Sequence, residues 1–198
     1  MTVVARFCDE SDHGFGWIVD EAVGRTSHAL VADGGVWFVD PVAWPEAERR
    51  ALELAEPRGV IQLLDRHERD ARALAGRLAV PHHVVPSSIE GAPFEFVRIA
   101  GWRWWREVAL WWPEHRVLVF ADALGTIGYF RAPRERIGVH PLLRMWPPRQ
   151  LGELHPQEIL CGHGTGVAED AGDALAEALR TARRRLPAAW LGALRRVR

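Results

Sequence analysis

Lysine is missing from this chain: all 25 basic residues among its 198 are arginine. A complement this uniform reads as codon bias in a GC-rich genome rather than as many separate functional choices. Cysteine is scarce as well. Cys8 and Cys161 are too few for a disulfide framework or a thiolate metal site. Each reads as a small buried thiol on a strand, although Cys161 precedes His163 by two positions and a Cys/His pair is conceivable there. Net charge, at −1, gives no global field to attract nucleic acid or an acidic surface. No apolar run approaches the roughly 18 residues of a membrane span. Met1–Ser11 lacks the basic-then-apolar pattern of a signal peptide. A reducing, cytoplasmic setting is the expectation, with no membrane or nucleic-acid partner. Low-complexity segments and short-period repeats are also lacking.

What remains is an ordinary globular composition, 48% hydrophobic and 26% charged, sufficient for one sizeable core. Short apolar runs at Thr2–Cys8, Phe15–Ala22, Ser27–Ala32 and Val36–Asp40 predict an antiparallel meander. The Asp33-Gly34-Gly35 turn supplies the positive φ angles of a tight hairpin. From Pro45 to Glu56 the apolar spacing becomes helical, and Val60–Leu64 reads as a strand covered on both sides. A helix is predicted over Glu68–Leu78, which directs Arg69 and Arg72 away from any cleft, followed by a strand at His82–Val85. The second half repeats the plan. Strands are predicted at Phe94–Ile99, Glu107–Trp112, Val117–Ala121 and Ile159–Cys161, with a proline-rich loop before the last. A helix or helix pair runs from Asp170 to the end. Strands then helices, twice over, imply two sheets face to face with helices outside, in pseudo-halves of about 1–92 and 93–198 within a single domain over 1–198.

Four stretches carry a resemblance. Ala29-Leu30-Val31 leads to Trp37-Phe38-Val39-Asp40-Pro41. Val60–Ala71 contains a buried strand, the run Arg66-His67-Glu68-Arg69-Asp70-Ala71 and a helix start. Val117–Leu124 is a strand ending in Ala121-Asp122. Ile159–Gly164 ends in Gly162-His163-Gly164. In order and spacing these resemble the landmarks of the metallo-β-lactamase superfamily. The resemblance implies a four-layer αβ/βα sandwich, two mixed sheets with helices outside and metal ligands at the strand ends.

Carried over position by position, the resemblance matches Asp70, Asp122 and His163 to metal ligands. Arg66, Glu68 and Ala71 stand where the family's His-x-His-x-Asp-His run has histidines, and Trp102 where another histidine belongs. The family's first metal site is therefore not expected to form. Asp70, Asp122 and His163, with Glu68 as a possible fourth, could hold one zinc, iron or manganese ion. Asp70 is then the candidate catalytic group on the attacking water. Against a metal, the Arg66 guanidinium could cap Asp70 or Asp122 as a permanent cation. His67 is either a cleft side chain turned away from the site or, if the loop register differs, a ligand. No Ser-His-Asp arrangement or activated cysteine offers a replacement.

Among the other candidates, His82 and His83 are adjacent on a strand and cannot easily share a metal. The pairs Trp104/Trp105 and Trp111/Trp112 are expected in the core, while Trp102 and Trp105 could line a pocket near the site. The terminal arginines Arg180, Arg183–Arg185, Arg195, Arg196 and Arg198 read as the solvated surface of a helix docked through Trp190, Leu191 and Leu194. The expected function is an atypical, metal-poor member without cofactor, binding a small molecule or protein partner at the old cleft. The alternative is a mononuclear metallohydrolase of an ester, lactone or thioester using Asp70, Asp122 and His163.

Overall fold

The computed structural model describes residues 4–19 and 23–194. Six strands, β1 (Ala5–Ser11), β2 (Gly14–Val19), β3 (Thr26–Ala32), β4 (Gly35–Val39), β5 (Glu56–Gln62) and β6 (His82–Val84), form one sheet in chain order. The first four are antiparallel, and β4–β5–β6 are parallel. Parallel neighbours need a crossover, and α1 (Pro45–Leu54) and α2 (Ala71–Leu78) supply the two that are required. The β3–β4 turn takes positive φ at Asp33 and Gly34 (49° and 71°), as the sequence predicts.

The second sheet contains β7 (Glu95–Trp102), β8 (Trp105–Trp112) and β9 (Val117–Phe120). After a two-stranded ribbon of β10 (Leu124–Gly125) and β11 (Gly138–Val139), β12 (Glu158–Cys161) adds in parallel beside β9. Two helices follow, α3 (Ala171–Thr181) and α4 (Leu186–Leu194). Strand periodicity separates the cores. In β4, Val36 and Phe38 pack under α1 and α2, while Trp37 and Val39 join the larger core shared with the second sheet. Leu175, Ala178 and Leu179 of α3 also belong to this larger core. The result is the expected sandwich of two mixed sheets with helices outside.

Several expectations change in detail. Helix α2 starts at Ala71, not at Glu68, because residues 65–70 form turns and Arg69 takes a positive φ of 45°. Trp105, Trp111 and Trp112 are buried as expected, but Trp104 is exposed at the β7–β8 hairpin tip. Trp190 and Leu191 are also exposed, so they do not form a buried docking surface for α4. Cys8 and Cys161 are buried free thiols whose ionisation burial suppresses. Parts of the predicted strands at 2–3 and 20–22, and Arg195, Arg196 and Arg198, lie outside the described residues. Among the described residues no helix is long and apolar enough to cross a membrane.

At one end the two sheets are joined by backbone hydrogen bonds. Asp65 N donates to Arg106 O (3.1 Å), Val108 N to Leu63 O (3.0 Å), and Thr26 N to Gly162 O (2.8 Å). The residues following β4, β5, β9 and β12 all meet at this seam.

Candidate metal centre

Four strand ends deliver the polar groups. Asp40 follows β4, Arg66 and His67 follow β5, Asp122 follows β9, and His163 follows β12. After β5 the chain turns tightly, closed by His67 N donating to Leu64 O at 2.9 Å. That turn swings His67 inward. Its Nε2 lies 3.1 Å from Asp122 Oδ1, and His163 Nε2 lies 3.0 Å from the same oxygen.

Each ring has an oxygen beside its outer nitrogen. His163 Nδ1 donates to Val23 O at 2.7 Å. His67 Nδ1 faces Asp40 Oδ2 at 3.5 Å, and neither of these buried atoms has a hydrogen-bond partner among the described residues. Asp40 is held in turn by Leu63 N donating to its Oδ1 (3.0 Å). With Nδ1 carrying the proton, a neutral ring presents a lone pair at Nε2. Two such lone pairs then confront a carboxylate oxygen, an arrangement that needs a proton or a cation between the groups.

Protonation answers this in the metal-free protein. Burial opposes charge on His67, but hydrogen bonds to Asp122 and Asp40 lift it to about 9. Burial would likewise raise Asp122, yet hydrogen bonds from His163 and His67 hold it well below the usual carboxylate range. A metal would satisfy the same geometry. The ligand atoms of His67, Asp122 and His163 all lie within 4.8 Å of one another. Ligands about 2.0–2.1 Å from an ion sit about 2.8–3.4 Å apart in octahedral or tetrahedral sets. The two separations to Asp122 match that spacing, so these three residues fit one ion.

The surroundings fix Asp122 in place. Glu107 is fully buried beneath it, and its Oε1 accepts from the backbone N–H groups of Ala121, Asp122 and Ala123 (3.2, 2.9 and 2.9 Å). Its Oε2 accepts from Trp105 Nε1 at 2.7 Å. Burial, and then the Asp122 charge, push Glu107 up to about 7 against these bonds. Arg69 donates to three carbonyls, Thr26 O, Asp40 O and Gly162 O (2.6, 2.8 and 3.0 Å), stitching three strand ends together. Gly162 permits this convergence, since a Cβ there would lie 2.5 Å from Ala121 O.

Around the rim, Phe130 stacks on His163 (5.6 Å, 28°), and His140 packs edge-on against Trp105 (4.7 Å). Burial lowers His140 to about 4, and its Nδ1 accepts from Leu142 N, so the neutral ring carries its proton on Nε2. Arg66 lies over the Trp105 ring at 4.4 Å, donating to Trp104 O at 3.1 Å, with Asp122 Oδ2 3.4 Å away.

The site anticipated from sequence is therefore partly reassembled. Asp122 and His163 come together, and Arg66 borders them, 3.4 Å from Asp122 Oδ2. His67 joins them directly instead of turning away. Asp70 is absent from the ligand group: its Oδ2 accepts from Ala43 N at 2.8 Å, tying the loop after β4 to the start of α2. Glu68 is an exposed partner of Arg72 (3.1 Å). Trp102 lies half-exposed on the hairpin, stacked on Trp104. Ala71, the first residue of α2, packs in the core beneath that helix's sheet-facing side.

Two mixed sheets with helices outside, and a ligand group at the ends of their strands, define the metallo-β-lactamase fold, and this chain has it. Among solved structures it is similar to DIM-1 metallo-β-lactamase, with a TM-score of 0.62 and 12% identity over 91% of this chain and 100% of that one. It is likewise similar to a metallo-β-lactamase from Pontibacter korlensis (TM-score 0.62, 11% identity, 89% and 99% covered). A third is the NDM_FIM-1-like metallo-β-lactamase from Erythrobacter litoralis in its mono-zinc form (0.62, 13%, 91% and 97%). At such identities the likeness shows the fold alone. No protein-family model matches the chain, and no curated protein matches it in sequence.

Proposed function

We propose that this chain is a mononuclear metal-dependent hydrolase whose single ion is held by His67, Asp122 and His163. The observation that carries this reading is the convergence of two imidazole Nε2 atoms on one carboxylate oxygen at 3.0 and 3.1 Å, each ring oriented by an acceptor at Nδ1. Metal-binding histidines generally have such an outer partner. The mono-zinc form named for one structural neighbour is compatible with a one-ion centre. When bound, a divalent ion supplies a water of lowered pKa and polarises a carbonyl oxygen.

The chain's own residues do the rest. His67 and Asp40 act as a relay that fixes the ligand ring. Glu107 holds the Asp122 backbone at its assigned place. Asp122 is a poor base, because its hydrogen bonds stabilise the ionised form too strongly. Arg66, 44% exposed at the edge of the site, is placed to meet negative charge that develops on a substrate carbonyl oxygen. Esters, lactones and thioesters are the substrate classes this arrangement suits. Asp70, the catalytic candidate from the sequence, is better suited to shaping the loop than to acting on water.

The observation favouring the metal-poor reading is that same Arg66, a fixed cation 3.4 Å from Asp122 Oδ2. With a protonated His67 it would neutralise Asp122 and leave a cleft for a small molecule or protein partner. Hydrolysis of an aryl ester by the purified protein separates the two. Activity that chelator removes, that zinc, iron or manganese restores, and that His163→Ala lacks is the expected result. Activity indifferent to chelator and to His163→Ala would rule out the metal-dependent reading.

A further inference from the structure

The metal centre leaves unexplained an aromatic surface beside it. Trp102 and Trp104, at the tip of the β7–β8 hairpin, stack at 4.9 Å and 22°. Trp146 meets Trp102 nearly perpendicular, at 6.4 Å and 78°. These indoles are 37%, 55% and 65% exposed, and Leu142 and Met145 are exposed as well. Apolar residues scattered singly over a surface need no explanation, but a contiguous aromatic patch of this kind marks a binding surface.

The patch is continuous with the candidate centre. Trp104 packs edge-on against Trp105 (5.9 Å, 86°), which carries Arg66 over its ring. The Arg66 guanidinium spans from Trp104 O (3.1 Å) to Asp122 Oδ2 (3.4 Å), so the aromatic corner begins one guanidinium away from the metal-ligand carboxylate. Charge completes the picture. Arg103 and Arg106 flank the exposed indoles, and residues 102–106 include no acid.

We infer that this corner binds the planar aromatic ring of a small anionic molecule whose charged group is met by Arg66. A stacked pair with a third indole at right angles offers a planar ring one parallel and one perpendicular surface, the two geometries aromatic rings prefer. A second copy of the chain is a poorer occupant, since a two-fold contact would set arginines of one copy against those of the other. Ligand binding here does not require a bound ion, so this inference and the hydrolase reading can fail separately.

Calorimetric titration with 2-naphthoate, octanoate and 2-naphthalenemethanol, on the protein as purified and again with chelator, tests it. We expect 2-naphthoate to bind in both conditions and octanoate to bind at least about tenfold more weakly. Trp104→Ala and Trp146→Ala should each weaken 2-naphthoate about tenfold. Both residues are exposed, and unchanged melting of the variants checks that the fold is intact. Arg66→Gln should weaken 2-naphthoate while leaving the neutral alcohol unaffected. Three results would each overturn the inference: no 2-naphthoate binding, octanoate binding as tightly, or indifference to the tryptophan substitutions. Sedimentation showing a dimer that Trp146→Ala dissolves and 2-naphthoate does not would assign the surface to self-association instead.

Discussion

Asp122→Asn is expected to weaken divalent-metal binding by more than about 100-fold, because it removes a charged ligand where loss of even an outer-sphere partner costs about 10–100-fold. The substitution keeps the shape of the side chain, so the Glu107 cradle and the strand ends should persist. A second consequence follows in the metal-free protein. His67 keeps its proton up to about 9, largely through Asp122, whereas an unfolded histidine releases it near 6.5. A folded pKa above the unfolded one stabilises fully below pH 6.5, and that contribution disappears as the pH rises through 9. The difference corresponds to about 3 kcal/mol. Urea denaturation of chelated protein should therefore show stability falling between pH 6.5 and 9 in the native sequence, with a much shallower fall in Asp122→Asn. Because the ion replaces the His67 proton, metal affinity should rise over the same window. A metal affinity unchanged in Asp122→Asn would exclude Asp122 as a ligand.

The second large effect lies behind the site. Arg144 and Glu135 form a completely buried ion pair in the segment between β9 and β12, with guanidinium–carboxylate distances of 2.6 and 3.1 Å. Arg144 also donates to Val139 O and Phe130 O (3.0 and 2.7 Å), and Glu135 accepts from Ala132 N at 2.7 Å. Removing Arg144 leaves buried Glu135 with only the more distant Arg185 Nη1, 3.6 Å from its Oε1, so Arg144→Ala should cost about 3 kcal/mol or more. For a chain of this size that lowers Tm by about 6–20 °C. Phe130, which this arginine holds by its carbonyl, stacks on His163, so loosening should extend to the metal centre. Replacing both members, as in Arg144→Met with Glu135→Leu, should recover part of the loss, since the buried carboxylate goes with its partner and Arg185 keeps Glu177 at 2.7 Å. A Tm within two degrees of the native value for Arg144→Ala, by calorimetry, would contradict this account.

The sandwich was legible in the sequence because its signals are local and repeated. The continuous apolar runs Val36–Val39 and Val60–Leu64 each reflect a strand covered on both sides. Asp122 and His163 come from the resemblance, as the ends of two matched strands, and the structure brings both strand ends to the same place. The run from Arg66 to Ala71 was not legible, because a motif alignment assumes a helix start that this chain delays. The turn closed by His67 N and Leu64 O, and the positive φ of Arg69, rotate His67 into the site and Asp70 out of it. The same delay frees Arg69 to bind three strand ends. Glu107 carried an overlooked signal: an acid two residues from Trp105 shares its side of the strand, and a carboxylate so placed must find donors. Trp104 departs from the expected core position because the cover on both sides of β8 ends at Trp105, one residue short of the hairpin tip.

The central claim, one ion on His67, Asp122 and His163, is tested most directly by elemental analysis of protein purified without chelator and equilibrated with zinc, iron or manganese. About one bound ion per chain is expected, reduced to near zero in Asp122→Asn. A native chain with no bound ion under these conditions would contradict the claim and leave Asp122 to Arg66 and the His67 imidazolium.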